Sequence, residues 1–83
     1  MEKELLLKQL KYRSNHRGCK ETDILLGKFF NEKFLEFSDE DLEVYRHFIE
    51  EDDMLIYDWI LDKVEVDEKY LPLVLRIRKF HQI

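Results

Sequence analysis

The amino-acid sequence predicts an all-α protein, a compact bundle of five short helices in a single domain over residues 1–83. The 83 residues suffice for one domain with one thin core. Only two glycines and one proline are present to interrupt helices. No segment shows the sustained alternation of apolar and polar residues that a half-buried strand would need. Each element is therefore expected to be helical, and the connections are expected to be brief.

The first two predicted helices flank a short basic loop. The first helix runs over residues 2–14, the loop covers 15–20, and the second helix starts near Glu21 or Thr22. Gly18 is expected to end the first helix as a C-cap at positive φ. Gly27 lies inside the second helix at a cost of roughly 1 kcal/mol relative to Ala, which suggests close packing against another backbone. The apolar residues expected to face neighbours are Leu5, Leu6, Leu7, Leu10 and Tyr12, then Ile24, Leu25, Leu26, Phe29, Phe30 and Phe34.

The remaining three predicted helices are defined by their end signals. Ser38 with Asp41 three residues later matches a capping box, and the third helix then runs to about Glu51. The two aspartates at 52–53 end the third helix and cap a fourth helix over residues 54–63. A fifth helix covers 68–81, where Pro72 removes one backbone bond if the helix starts at its beginning and none if it starts later. The residues expected to face inward are Leu42, Tyr45, Phe48, Ile49, Leu55, Ile56, Trp59, Ile60, Leu71, Val74, Leu75 and Ile77.

The net charge of −5 is unevenly distributed along the chain. Residues 1–20 carry six Lys or Arg against two Glu, and residues 21–70 carry five against seventeen Asp or Glu. Residues 71–83 add three basic residues and no acid. A nucleic-acid-binding protein would show a positive field over one whole face, so this pattern argues against nucleic acid as a partner. It favours a protein partner, with charge used for orientation.

Cysteine content and hydropathy bear on the cellular compartment of the protein. Cys19 is the only cysteine, so no internal disulfide is possible and a reducing compartment is expected. No apolar run approaches the 18 residues that would suggest a membrane span. The first twelve residues carry acids and lack a long apolar stretch, unlike a signal or transit peptide. We expect a monomeric cytoplasmic protein without membrane insertion.

The sequence contains no set of residues typical of catalysis. His16, His47 and His81 include no pair at i, i+4, and no second cysteine accompanies Cys19, so no metal site is expected. Ser14 and the capping serine at 38 are explained by helix ends rather than by a Ser-His-Asp site. There is no glycine-rich phosphate loop. We therefore expect no catalytic residues, no enzyme activity and no stably bound cofactor.

The segment RSNHRGCKETDI, which contains the basic loop, is not explained by helix formation alone. Arg17 could offer a partner's carboxylate a bidentate donor, while Gly18 leaves a flat approach and Glu21 provides an acceptor one turn away. The alternative is an Arg17–Glu21 pair that satisfies itself within the chain. The first interpretation predicts a protein-binding surface, and it requires the guanidinium and the carboxylate to face solvent.

The segment YRSNHRGCKETDILLGKFF resembles the signature of the SdhE-type flavinylation factors, which are small succinate dehydrogenase assembly factors. The family's R-G-x-x-E motif corresponds to Arg17, Gly18 and Glu21, followed by an acid and an apolar helix. The resemblance continues through LEFSDE and DDMLIYDW and covers roughly residues 5–62. This chain has Cys19 where the family usually has Met, and His16 where a basic residue is usual.

The resemblance implies an antiparallel five-helix bundle and a non-enzymatic function. Such a protein promotes the covalent attachment of FAD to a histidine of the flavoprotein subunit of succinate dehydrogenase or of fumarate reductase, so FAD acts on the partner. The alternative is a helical adaptor or regulator unconnected with flavin. By resemblance, the docking surface on the flavoprotein comprises Arg13, Arg17, Gly18, Cys19, Glu21 and Asp23.

Overall fold

The computed structural model describes residues 2–83, and this part of the chain contains five α-helices and no strand. The all-α class and the number of helices are therefore confirmed, whereas the antiparallel arrangement stays a prediction. In residues 2–83 no helix is long and apolar enough to cross a bilayer. The helices are α1 (Glu2–Asn15), α2 (Lys20–Lys33), α3 (Asp39–Phe48), α4 (Asp53–Ile60) and α5 (Leu71–His81), with 3-10 turns at Phe34–Glu36 and Glu68–Tyr70.

Capping side chains set the ends of the helices much as the sequence predicts. Ser38 Oγ accepts a hydrogen bond from the Asp41 amide at 3.1 Å, and the Asp41 carboxylate accepts one from the Ser38 amide at 3.1 Å. This reciprocal pair confirms the capping box. Asp52 caps α4 by accepting from the amides of residues 54 and 55. Pro72 is the second residue of α5, where its missing N–H would have no partner within the helix, so it costs no bond.

Two helices end earlier than predicted. α3 stops at Phe48 and α4 at Ile60, rather than near residues 51 and 63. After α4 the chain turns because Asp62 adopts a left-handed conformation with a φ of 59°. Asp and Asn tolerate this region better than most residues do. The early end of α3 leaves residues 49–52 as a junction before α4, and this junction forms part of the candidate site.

An aromatic cluster forms the centre of the core. Phe30 of α2 stacks on Tyr45 of α3 with ring centroids 4.8 Å apart, and Phe37 meets both rings edge-on. The cluster continues from Tyr45 to Phe48, which contacts the rings of Trp59 and Tyr70. Offset and edge-on pairs of this kind add to the stabilisation that burial alone provides. The cluster therefore joins α2, α3, α4 and the turn before α5.

A buried polar pair attaches α1 to the aromatic cluster. Ser14 Oγ donates to the Leu10 carbonyl at 2.7 Å and lies 2.5 Å from the Tyr45 hydroxyl. Because the serine has a single proton, Tyr45 donates to Ser14. Burial raises the pKa of Tyr45 far above its usual value, which keeps this donor protonated. The predicted role of Ser14 at a helix end is thus incomplete, since its hydroxyl also satisfies a core tyrosine.

The inward face of α5 differs from the predicted one. Leu73, Val74 and Ile77 are buried, whereas Leu71 and Leu75 are exposed. The burial pattern follows the 3.6-residue period from Leu73, so Leu71 and Leu75 lie on the other side of the helix. The sequence offers apolar residues on both sides and does not distinguish them. Three other residues predicted to face neighbours are also exposed: Leu5, Tyr12 and Ile24.

Gly27 lies at the contact between α1 and α2, which confirms the predicted close packing. A Cβ atom at this position would be 2.7 Å from Asn15 Oδ1 and 3.4 Å from the Ser14 carbonyl oxygen. Asn15 is held there by reciprocal amide hydrogen bonds with Asn31 at 3.0 and 3.1 Å. A side chain at Gly27 would therefore displace a residue that links the two helices.

We expect Gly27→Leu to lower the free energy of unfolding by about 1–3 kcal/mol, because overpacking a tight contact forces neighbouring side chains and backbone to move. Lys28→Leu places the same side chain on the next, exposed position and is the matched control. Urea unfolding followed by circular dichroism measures both. A Gly27→Leu variant as stable as the control would contradict the close contact.

Candidate functional site

The turn between α1 and α2 forms one wall of an open groove of about 430 Å³. The other wall is the junction between α3 and α4 together with Asp53, the first residue of α4. It carries four consecutive acids, of which the pair at 52–53 had been interpreted only as a helix break and cap. The groove thus places the basic turn beside an acidic segment more than thirty residues away in sequence. The lining residues are Tyr12, Arg13, His16, Arg17, Gly18, Ile49, Glu50, Glu51, Asp52 and Asp53.

Arg17 fastens the turn to this junction. Its Nε donates to Asp53 Oδ1 at 2.8 Å, and its Nη2 lies 2.6 Å from the same oxygen. Its Nη1 donates to the Ile49 carbonyl at 2.6 Å. Ile49 is the C-cap residue directly after α3, where the end of a helix leaves carbonyl oxygens without partners inside the helix. The Arg17 guanidinium therefore donates hydrogen bonds both to the carbonyl after α3 and to the carboxylate in the first turn of α4.

The prediction of an outward-facing guanidinium is wrong. Only 8% of the Arg17 side chain is exposed, and 24% of the Asp53 side chain. The alternative of an internal Arg17–Glu21 pair is also wrong, because Arg17 pairs with Asp53. The planar, always charged guanidinium suits a semi-buried site with several acceptors in different directions. Arg17 consequently positions the turn, and the solvent-facing side chains of the turn come from its neighbours.

The sequence analysis assigned Asp53 no role of its own at the site, because it treated residues 52 and 53 together as a helix cap. Besides Arg17, Asp53 contacts α2, since Thr22 Oγ1 donates to the Asp53 carbonyl at 3.1 Å. The sequence does contain a signal for this role. A single N-cap carboxylate suffices to start a helix, and Asp52 fulfils that function alone. The second of two consecutive aspartates was therefore available for another partner.

Gly18 is exposed in the turn, directly beside Asp53. Neither glycine of the chain has a positive φ, so the predicted left-handed C-cap at Gly18 is wrong. A Cβ at this position would lie 3.4 Å from Asp53 Oδ2, an ordinary contact distance. A long side chain here would have to share the groove with the carboxylate. Gly18 thus keeps this part of the groove open.

Glu21 presents its carboxylate to solvent at the start of α2. The hydrogen bond from its own backbone amide lowers the pKa of Glu21, and the Cys19 thiol, which donates to Oε2 at 3.2 Å, lowers it further. The carboxylate is therefore ionised at neutral pH and available to a partner's donor. Cys19 is half-buried and is the N-cap residue of α2, although its side chain makes no capping bond.

Two further predicted site residues have structural partners. Arg13 forms an ion pair with Glu50 across the groove, which raises the pKa of Arg13 and lowers the pKa of Glu50. Both side chains are about half exposed, so the pair contributes little to stability and stays open to exchange with a partner. Asp23 is half-buried, and its Oδ1 lies 3.4 Å from the Arg17 amide. Asp23 therefore supports the turn from inside.

The described residues contain no arrangement that indicates catalysis or metal binding. Within residues 2–83, no group of three His, Cys, Asp or Glu side chains is placed to hold a metal ion. His16 does not approach Cys19: its ring stacks on Tyr12 and its Nδ1 lies 2.8 Å from the Tyr12 carbonyl oxygen. What the geometry does present is an exposed carboxylate, that of Glu21, on a turn held by Arg17.

The family model and the related proteins that match this chain all carry names that refer to succinate dehydrogenase or to FAD assembly. A family model described as "flavinator of succinate dehydrogenase" matches residues 8–81. The chain is 31% identical over 83 residues to the FAD assembly factor SdhE of Coxiella burnetii, covering all of this chain and 98% of that protein. It is 34% identical over 71 residues to the protein of the same name in Acetobacter pasteurianus, covering 84% of this chain and 65% of that one.

A eukaryotic relative is longer. The chain is 36% identical over 78 residues to the mitochondrial succinate dehydrogenase assembly factor 2 of Dictyostelium discoideum. The match covers 94% of this chain but only 55% of the Dictyostelium protein. No solved structure matches the chain.

Proposed function

This chain belongs to the family described as flavinators of succinate dehydrogenase, and we propose that it binds the flavoprotein subunit of that enzyme and promotes covalent attachment of FAD to one of the subunit's histidines. The flavoprotein subunit of fumarate reductase is the second candidate partner. The observation that carries the proposal is the exposed, ionised carboxylate of Glu21 on a turn that Arg17 holds in place.

The proposed docking surface is smaller than the predicted one. Gly18 and Glu21 contact the flavoprotein directly, with Arg13 at the edge of the groove. Arg17 and Asp23 act through the position of the turn, because their polar groups are bonded within the chain. A turn fixed before binding loses less conformational entropy in the complex, which favours affinity. This division of roles replaces the original requirement that Arg17 itself face the partner.

The chain promotes the reaction without taking part in it. Binding shifts the flavoprotein towards the arrangement in which its acceptor histidine faces the flavin, provided that the chain has a higher affinity for that arrangement. The flavin's own reactivity then forms the bond, since the cofactor supplies the difficult chemistry. No residue of this chain is assigned a catalytic role, and FAD is held by the partner.

The proposal is tested by producing the flavoprotein subunit in cells that lack their own flavinylation factor, with and without this chain. Covalent flavin is read as fluorescence of the subunit in a denaturing gel. We expect the band to become fluorescent only when the chain is present. Equal fluorescence without it would overturn the proposal. If the chain co-purifies with other proteins and leaves the flavoprotein unmodified, the adaptor alternative is favoured.

Glu21→Ala is expected to reduce the initial rate of covalent flavin formation by about tenfold or more, because it removes the exposed acceptor and leaves the Arg17–Asp53 contact intact. Glu32→Ala, which removes an exposed carboxylate from the later part of the same helix, is the matched control and should act as wild type. The same fluorescence assay, sampled over time, measures the rate. Equal rates for the two variants would exclude Glu21 from the docking surface.

A further inference from the structure

The outer face of α1 carries a row of exposed side chains that leads into the groove. Leu5, Lys8, Tyr12 and His16, which we call the outer stripe, follow one another at intervals of three and four residues. This spacing places them on one side of a helix. His16 lies just beyond the last residue of α1, but its ring is held over Tyr12 and continues the row.

Two members of the outer stripe are apolar yet face solvent. Leu5 is 59% exposed and Tyr12 is 64% exposed, whereas α1 directs Leu10 and Ser14 into the core from its other side. No other segment of residues 2–83 covers these two side chains. An exposed aliphatic residue and an exposed aromatic residue on one helix face offer apolar area to a partner.

Tyr12 has the properties of a binding anchor. Its ring stacks on the His16 imidazole with centroids 4.0 Å apart and planes 15° apart. The His16 Nδ1 contact with the Tyr12 carbonyl holds the second ring of the pair in place. A tyrosine that is already ordered loses little entropy on burial, and tyrosines are frequent among the residues that dominate binding energy. Tyr12 and His16 also line the groove with Gly18, so the outer stripe is continuous with the proposed docking turn.

The charge around the outer stripe defines the partner's chemistry. Residues 5–20 contain five Lys or Arg and no Asp or Glu. Arg13 and Arg17 are paired with Glu50 and Asp53, and Lys20 belongs to α2. The two lysines of this stretch that lie on α1, Lys8 and Lys11, have no ion pair within residues 2–83. These two ammonium groups are therefore available to an incoming carboxylate. An acidic surface would approach this face faster and bind it more tightly than a neutral one.

We propose, building on the proposed function, that the outer stripe is a second part of the surface that docks on the flavoprotein subunit, with Tyr12 as its anchor. The occupant is an acidic segment of that subunit with apolar side chains that cover Tyr12 and Leu5. The two parts meet at the groove, so one partner contacts Glu21 and the outer stripe at the same time. Charge complementarity to the acid-free stretch and continuity with the turn support this occupant.

The test is isothermal titration of the purified FAD-containing flavoprotein subunit with the full chain and its variants, at low and moderate salt. Tyr12→Ala is expected to raise Kd by about tenfold. Lys8→Glu is expected to raise Kd mainly at low salt and to weaken its salt dependence. Leu35→Ala removes another exposed apolar side chain, and Lys63→Glu makes the same charge change elsewhere, so both should bind as wild type.

Each outcome decides between the two proposals. If Tyr12→Ala and Lys8→Glu bind as wild type while Glu21→Ala binds weakly, the outer stripe is not part of the surface and the proposed function stands. If the wild-type chain does not bind the flavoprotein at all, the proposed function fails and the outer stripe loses its partner. Thermal unfolding of each variant separates lost binding from lost folding, and Lys8→Glu tests the stripe even if Tyr12→Ala unfolds.

Discussion

Replacing Arg17 by alanine is expected to lower the free energy of unfolding by about 2–4 kcal/mol, because it leaves the carboxylate of Asp53 and the carbonyl of Ile49 without their partner. The two side chains are largely shielded from water, so removal of one partner leaves a charge that solvent only partly compensates. Chemical denaturation with a circular dichroism readout gives the value.

Arg46→Ala is the matched control for this prediction. Arg46 pairs with Glu43 on the surface, where both side chains are about half exposed, so its removal should change stability far less than removal of Arg17 does. The double variant Arg17→Ala with Asp53→Ala should recover part of the loss, since it also removes the unpaired carboxylate. If Arg17→Ala were as stable as Arg46→Ala, Arg17 would not hold the turn.

Phe30→Ala is expected to lower the free energy of unfolding by about 3–5 kcal/mol, the usual cost of truncating a fully buried phenylalanine. Its ring is completely enclosed and contacts the rings of Tyr45, Phe37 and Phe34. Small domains are stable by only about 5–15 kcal/mol, so this variant should be marginally folded at 37 °C. Urea titration at 15 °C, together with thermal unfolding, measures the loss.

The same substitution four residues later provides the comparison. Phe34 belongs to the same chain segment but is half-buried at the edge of the cluster, so Phe34→Ala should cost clearly less than Phe30→Ala. The ratio of the two losses in unfolding free energy shows how much more the buried ring of Phe30 contributes to stability than the ring of Phe34 at the edge of the cluster. Equal losses would mean that the aromatic cluster is not organised around the Phe30–Tyr45 stack.

Local signals made the helices predictable. The Ser38–Asp41 box and the Asp52 cap act within three or four residues, and the sequence displays them directly. The inward face of α5 was harder to predict, because apolar residues lie on both sides of this helix. Only its packing partners determine that Leu73 is buried and Leu75 is exposed. At the early end of α3, Arg17 donates to the Ile49 carbonyl from another part of the chain, a contact that the local sequence does not show.

The candidate site was predictable in its location but not in the roles of its residues. The basic turn and its resemblance to a known motif predicted a docking surface at this place. Whether the guanidinium of Arg17 faces water depends on Asp53, which is 36 residues away in sequence. Nothing in the order of residues specifies such a tertiary contact. The surplus aspartate at position 53 was the one available hint, because a helix needs only one N-cap.

The structure separates two kinds of contribution at the turn. Arg17 and Asp53 determine where the turn lies, so variants of these residues should lose stability and partner binding together. Glu21 and the outer stripe face solvent, so their variants should lose binding while the fold is retained. Measuring stability and affinity on the same variants therefore distinguishes a positioning residue from a contacting one.

The most direct test of the docking role is the affinity of the purified FAD-containing flavoprotein subunit for the Glu21→Gln variant, measured by isothermal titration beside wild type and Glu32→Gln. The account predicts that Glu21→Gln raises Kd by about tenfold or more with an unchanged melting temperature, while Glu32→Gln binds as wild type. Wild-type affinity of the Glu21→Gln variant would contradict it.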